Sequence, residues 1–519
     1  MKKASGVLGL FVVMATSAQA ETVWFALDPQ SFPVSESLTH YPTADAACRA
    51  AYATDAVTYT TDVAHILPYT APTYYKGFVP TAYNCNFTVV ISGTPFILPH
   101  LIEVVGDQCP AGQTFDATTG QCALGSDPQD RRQRGDPDDD ANNDPSNCHG
   151  DPINAAIGNE FERISDFEDA DGELHFARFY NSSDGLWRHS YSASLIQAVS
   201  SVTLTFEDGR ASVFSLAGNV ATAEPNERGA LVKSGSNWVY SSPDNQAMTF
   251  NSQGQLVSLK APDGLVQTLT YGYDSTFTKN QTTVKESRGH TLTFTEDLST
   301  GQLVGLTAPG VSATYAYNDS TMLASVSRVL QGKTVSQSYL YEDASNPTHL
   351  TGFIDERGVR ASTWTYDTKG RAVSSVRGGG VDTTLISYAD DGTTTVTNAL
   401  GHVVTYQYGV VGGTRQMMTV TGSPAPGCPI SNSSLTYDAR GQIATQTDAL
   451  GHITAFAYDT QGRVTTKTEA KGTAQERVTT TTWDGTSFRP KTVTTPDRVT
   501  TYNYDAKGRL TSTVVSASH

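Results

Sequence analysis

A chain of 519 residues exceeds the usual size of one domain, so several structural units are expected. Its 35 Lys and Arg against 52 Asp and Glu give a formal charge of −17, which argues against a nucleic-acid partner, since that function wants a basic patch. With 17% charged residues, 44 Gly and 24 Tyr, the composition favours β structure with many turns over a helical domain.

Residues 1–20 read as a secretory signal. Lys2 and Lys3 precede the apolar run from Val7 to Ala15, and Ala18-Gln19-Ala20 is a small-x-small cleavage site. The run is too short to span a bilayer, and no Cys follows the site to carry a lipid. The chain is therefore expected to be exported, to the periplasm, the cell surface or the medium, with no transmembrane anchor after cleavage. Residues 21–125 form a small cysteine-containing α+β module. Thr43 caps a short helix over residues 44–51, and strand-like runs such as Phe87–Ile91 follow. Export makes disulfides the default state of its cysteines. Cys109 and Cys122 close a turn-rich loop, and Cys48 and Cys85 form the other pair, one of three connectivities open to four cysteines. Zinc lacks both a CxxC pair and histidines at ligand spacing. Cys148 and Cys428 receive no assigned pairing.

Residues 126–147 read as an acidic and polar linker. Arg131-Arg132-Gln133-Arg134 is followed by an Asp-, Asn- and Pro-rich run with hardly an apolar side chain. Asp136-x-Asp138-x-Asp140 resembles the start of a calcium loop, but Ala141 replaces the turn glycine and Asn147 the closing glutamate.

From Cys148 onward short alternating runs recur between Gly, Asn and Asp, dividing into a β domain at 148–270 and a repeat region at 271–519. Tyr-Asp-x-x-Gly-Arg occurs at Tyr366-Asp367…Gly370-Arg371, Tyr458-Asp459…Gly462-Arg463 and Tyr504-Asp505…Gly508-Arg509. Gln442 takes the Arg place in the copy Tyr437-Asp438…Gly441, and Trp483-Asp484 is a degenerate copy. Tyr437 and Tyr458 lie 21 residues apart, as do Trp483 and Tyr504. Such a period marks stacked supersecondary units. In each unit the Tyr ends a strand, Asp suits the first position of a type I turn and Gly the last. Asn398-Ala399-Leu400-Gly401-His402 and Asp448-Ala449-Leu450-Gly451-His452 supply the second turn of a unit, so each is a β-hairpin with two turns.

These repeats resemble the YD repeats of the Rhs (rearrangement hotspot) family. Asp151–Asn159, Gly172–Ser182 and Phe206–Arg210 resemble the domain that precedes the repeats in bacterial Rhs proteins. The resemblance covers roughly residues 145–519. It implies a mainly β fold in which repeated hairpins form an extended, coiled antiparallel sheet. It also implies a shell role in a polymorphic-toxin system of interbacterial competition, with a toxin cargo or a delivery component encoded elsewhere as partner. The family's self-cleaving segment and a toxin domain are not recognisable, so the chain reads as a truncated member without toxicity of its own. The repeats are also too few to close a large shell. The alternative is an envelope or extracellular adhesion protein that binds glycans, an activity linked to YD repeats at family level.

No enzyme is expected. The repeated Asp residues are accounted for by their turns, and His290, His402 and His452 by hairpin tips. Cys148-His149 lacks a recognisable catalytic partner, and there is no phosphate loop, nucleophile elbow or zinc helix. Neither cofactor nor metal is implied. The repeated aromatics Tyr366, Tyr437, Tyr458, Trp483 and Tyr504 read as a ladder packed along one face, with sugar stacking as the competing role.

Overall fold

The computed structural model describes strands within residues 24–124, the segment 130–136, and residues 153–518 apart from 170–173, 198–200, 299, 319–321, 423–431 and 486. Its named elements are strands and one short 3-10 turn. In the N-terminal part, Thr94–Val105 pairs with Trp24–Leu27 and Ala82–Ile91, and the latter also holds Ala64–Ile66 and Thr73–Tyr75. Gln113–Asp116 and Gln121–Leu124 form a separate hairpin. The expected helix over 44–51, Cys48 and Cys109 lie outside the described residues, as do the side chains of Cys85 and Cys122, and with them both disulfide pairings.

Residues 153–189 form a four-stranded sheet ordered Leu186–His189, His175–Asn181, Asn159–Glu168, Ile153–Asn154. The rest is one antiparallel meander of 30 strands, each paired with its neighbours in sequence, from Ser194–Gln197 to Leu510–Ala517. It runs unbroken across residue 270, where the sequence suggested a boundary. The cause is local: Tyr271 and Tyr317, in degenerate copies of the motif, bond like the tyrosines of the clean copies.

The period-2 pattern sets two faces. In Arg360–Tyr366 the side chains of Ser362 and Trp364 are buried on the inner face. On the outer face, hydroxyls bond across strands: Thr365 to Ser374 at 2.5 Å, Thr436 to Thr445 at 2.6 Å and Thr482 to Thr492 at 2.6 Å. These cross-strand pairs explain the threonine content of a face that needs no apolar groups. One continuous core joins the four-stranded sheet to the inner face of the meander, from Ile153 and Phe176 through Trp238, Tyr315 and Trp364 to Leu435.

The meander coils. Asn226 Nδ2 donates to Val411 O and Thr414 Oγ1, 185 and 188 residues away, and Asn226 N donates to Arg440 O. Phe488 N donates to Asn245 Oδ1 across 243 residues, and Arg489 Nη2 to Pro262 O across 227. The partners advance together along the chain, so the ribbon completes a circuit and lays its second pass against its first. The sequence reading that the repeats are too few to close a large shell is corrected in this respect. One circuit closes within about the 185–243 residues that separate these partners, because right-handed strand twist accumulates over many short strands.

Candidate functional site

Each clean repeat turn is built the same way. Gly370 N donates to Asp367 O at 3.0 Å and Asp367 N to Arg371 O at 2.9 Å. Asp367 Oδ1 accepts from Lys369 N and Arg371 N, both at 2.9 Å. Asp438, Asp459 and Asp505 repeat these contacts. Gly370, Gly441, Gly462 and Gly508 adopt φ of 77°, 79°, 78° and 81°, a region that a Cβ penalises. A β-bulge falls just before each Tyr, between Thr365 and Tyr366, Thr436 and Tyr437, Ala457 and Tyr458, and Asn503 and Tyr504. Backbone amides and the Arg371 side chain hold the Asp367 carboxyl below its ordinary range, against the opposing effect of its partial burial. The same holds for Asp459 with Arg463.

The tyrosines face inward and their hydroxyls are committed. Tyr366 donates to Leu350 O at 2.6 Å, Tyr437 to Met417 O at 2.7 Å, Tyr458 to Ile443 O at 2.8 Å and Tyr504 to Pro490 O at 2.9 Å. Trp483 Nε1 donates to Val464 O at 3.0 Å in the same position. Each aromatic thus ties its hairpin to the one before. All five are half-buried, which favours the ladder over the sugar-stacking role.

Two family models match where these features lie. The RHS repeat model covers residues 437–474, and a domain of unknown function (DUF6531) covers residues 150–214. The chain thus carries an RHS repeat at residues 437–474. No curated protein matches the chain. Among solved structures, it is similar to a TcdB2–TccC3 complex lacking its hypervariable C-terminal region, with 11% identity over 70% of this chain and a TM-score of 0.33. It is also similar to the Photorhabdus luminescens Tc holotoxin pore, with 14% identity over 70% of this chain and a TM-score of 0.28. The chain spans 24% and 20% of those two structures' chains.

The four-stranded sheet caps the inner face of the meander. Tyr180 donates through its hydroxyl to Thr348 O and accepts from Leu350 N, both at 2.9 Å, and Trp187 Nε1 donates to Tyr341 OH at 2.8 Å. Ala372 N donates to Gly158 O at 2.9 Å, and Gly158, at φ 75°, lies so close to Arg371 that a side chain there would collide with it. At the centre, Arg178 reaches Asp166 Oδ2 at 2.6 Å and Oδ1 at 3.0 Å, and Tyr315 OH donates to Asp166 Oδ2 at 2.8 Å. The Arg178 guanidinium lies 5.3 Å from the rings of Trp187 and Tyr339 and 5.6 Å from that of Tyr315. Burial by itself would lower its pKa, but Tyr339 and Asp166 together push it above the ordinary value. Sequence reasoning missed this pair. The available signal was an Arg inside the otherwise apolar His-Phe-Ala-Arg-Phe-Tyr strand.

Glu160 is fully buried beside this cluster, with the Tyr366 phenol close to its carboxyl. Burial, then the neighbouring Glu162, pushes its carboxyl well above the usual range. Burial and Glu160 in turn raise the phenol of Tyr366.

The segment read from sequence as solvated linker is in part buried. Arg131 donates to both Glu224 oxygens, at 2.9 and 2.6 Å, and to Ala211 O at 2.7 Å. Arg132 donates to Gly412 O at 3.1 Å. Gln133 donates to Arg415 O at 2.7 Å and accepts from Arg415 N at 3.0 Å. This stretch therefore bridges the start of the RHS sheet, near 211–224, to the point where its second circuit begins, near 412–415. The correction has a simple cause: a polar stretch is buried wherever distant carbonyls and a carboxylate satisfy it.

Proposed function

We propose that this RHS-repeat chain is a non-enzymatic structural component of a toxin system, a coiled sheet that encloses or steadies a polypeptide cargo. One observation carries the reading: the sheet coils until its second pass bonds to its first, with the four-stranded sheet of residues 153–189 packed on its inner face, while farther along that face is left half-exposed. Leu435 is the last fully buried apolar side chain among the described residues, and beyond it the inward-facing Phe456, Tyr458 and Trp483 are only half-buried. Half-wetted aromatic rings on the inner face of the coil suit a weakly held, non-native chain, because they bury apolar groups without demanding one sequence. The toxin setting, the interbacterial role and export by the N-terminal signal rest on the resemblance of the repeats and on residues 1–20. A protease-sensitive, unfolded reporter fused after His519 is expected to be digested several-fold more slowly than the free reporter. Equal digestion rates would show that the coil shelters nothing.

A further inference from the structure

Among the four motif turns one lacks the motif arginine, and a cleft lies beside it. In two of them the motif arginine makes the same double contact. Arg371 donates to Asp367 Oδ2 from Nε at 2.9 Å and Nη2 at 2.7 Å, and its guanidinium carbon lies 4.2 Å from the ring centre of Tyr388 in the next hairpin. Arg463 donates from Nε to Asp459 Oδ2 at 2.7 Å and lies 5.7 Å from the ring of Trp483, again in the next hairpin. Its Nη1 also donates to Gly485 O at 2.8 Å and Ser487 O at 2.7 Å. Each guanidinium is thus held between the carboxylate of its own turn and an aromatic ring one hairpin on, a combination of charge-assisted bonding and cation–π attraction.

Gln442 occupies this position in the third turn. Its backbone N donates to Asp438 Oδ1 at 2.9 Å, as in the other copies, and Nε2 donates to Gly462 O at 3.2 Å. The amide therefore reproduces the arginine's bond to the next turn. It carries no charge for Asp438 and no plane for Tyr458. Its Oε1 is buried without a partner, and the side chain is 8% exposed. A cleft of about 470 Å³ lies here, lined among others by Asp438, Arg440, Gln442, Phe456, Tyr458 and Asp459. That volume falls within the usual range for small-ligand sites. The other charged groups around it have partners. Asp459 is engaged by Arg463, and Arg440 Nη1 donates to Thr460 O at 2.7 Å. Arg228, from the preceding circuit, packs its Cγ toward Gly462.

We propose that this cleft binds a guanidinium group, that of an arginine side chain on a separate peptide. The incoming group takes the place that Arg371 and Arg463 fill in their own turns, with Asp438 as its anion and Tyr458 as its ring. Isothermal titration of the full chain with N-acetyl-arginine amide tests this, with N-acetyl-citrulline amide as the neutral isostere. The arginine probe is expected to bind at millimolar concentration or tighter, and the citrulline probe at least tenfold more weakly. Gln442→Arg should restore the missing group in cis, raising the melting temperature and weakening the probe at least tenfold. Asp438→Asn keeps the oxygen that accepts the turn amides, so it should fold normally and also lose at least tenfold in binding. Four results would overturn the assignment: no binding by the wild-type chain, equal binding of both probes, undiminished binding by Gln442→Arg, or binding that emerges only in Arg228→Ala. The last would mean that the chain's own Arg228 already fills the cleft.

Discussion

The two passes of the ribbon are made of the same hairpins yet live in different surroundings. In the first, the residue two before the motif tyrosine is sealed: Trp364 is 1% exposed and Tyr315 5%. In the second, Leu435 at that position is still buried, but Phe456, Thr481 and Tyr502 after it are all half-buried. The outer-face hydroxyl pairs and the tyrosine-to-carbonyl ties are unchanged between them. Local chemistry therefore makes the hairpin and its tie. The sealed core is shared between the four-stranded sheet and the meander, and it thins out beyond Leu435. A repeat array stabilised by nearest neighbours permits this separation, since each unit needs only the next to persist.

The largest effect expected from this contrast is at the centre of the cap. Asp166→Ala leaves Arg178 buried against three rings without its anion, and should cost about 3–5 kcal/mol. The double change Asp166→Ala with Arg178→Met should recover much of it. Urea melts of the three variants give the measurement, and a double variant no more stable than the single one would place the loss in packing instead.

Trp364→Ala and Phe456→Ala compare the passes directly. The first empties a sealed site and should cost about 3–5 kcal/mol. The second removes a half-wetted ring and should cost about 1–2 kcal/mol. Equal losses would mean that the second pass has a filled interior in solution.

Glu160 gives the comparison a pH dependence. Its folded pKa is raised by burial and by Glu162, so the unfolded chain ionises first as pH rises. Stability attached to this group is therefore present below the ordinary carboxyl pKa and is lost as pH climbs from there toward the folded value. Glu160→Gln, neutral at every pH, should match the wild type near pH 4 and melt higher at pH 7. A melting difference that does not grow with pH would detach Glu160 from the effect.

The hairpins were legible in the sequence, and their mutual arrangement was not. Tyr-Asp-x-x-Gly-Arg states a strand end, a turn and a positive φ within six residues, and nothing distant overrides it. The ties from Asn226 to Val411 and Thr414 depend on how much twist accumulates over the intervening strands, which no local pattern encodes. Arg131-Arg132-Gln133 misled for the same reason. Its composition says solvent, while its partners, Glu224 and the backbone at 412–415, come together only when the circuit closes. Trypsin should accordingly spare Arg131, Arg132 and Arg134 in the native protein.

The smallest effects test whether the shared tie is worth the same in both passes. Tyr366→Phe and Tyr458→Phe each delete one hydroxyl that donates to the carbonyl of the preceding hairpin, at 2.6 Å and 2.8 Å. In the first pass the abandoned Leu350 carbonyl belongs to a fully buried residue, beside Glu160 and Tyr180, and water has poor access. The loss there should approach the cost of an unmet buried acceptor, about 1–3 kcal/mol. In the second pass Ile443 is half-buried, so water can replace the hydroxyl and the loss should be about 0.5–1 kcal/mol. The two changes remove the same atom from the same motif position, so intrinsic strand preference cancels between them. A larger loss for Tyr458→Phe would reverse the contrast and show that the second pass, not the capped one, depends more on its ladder.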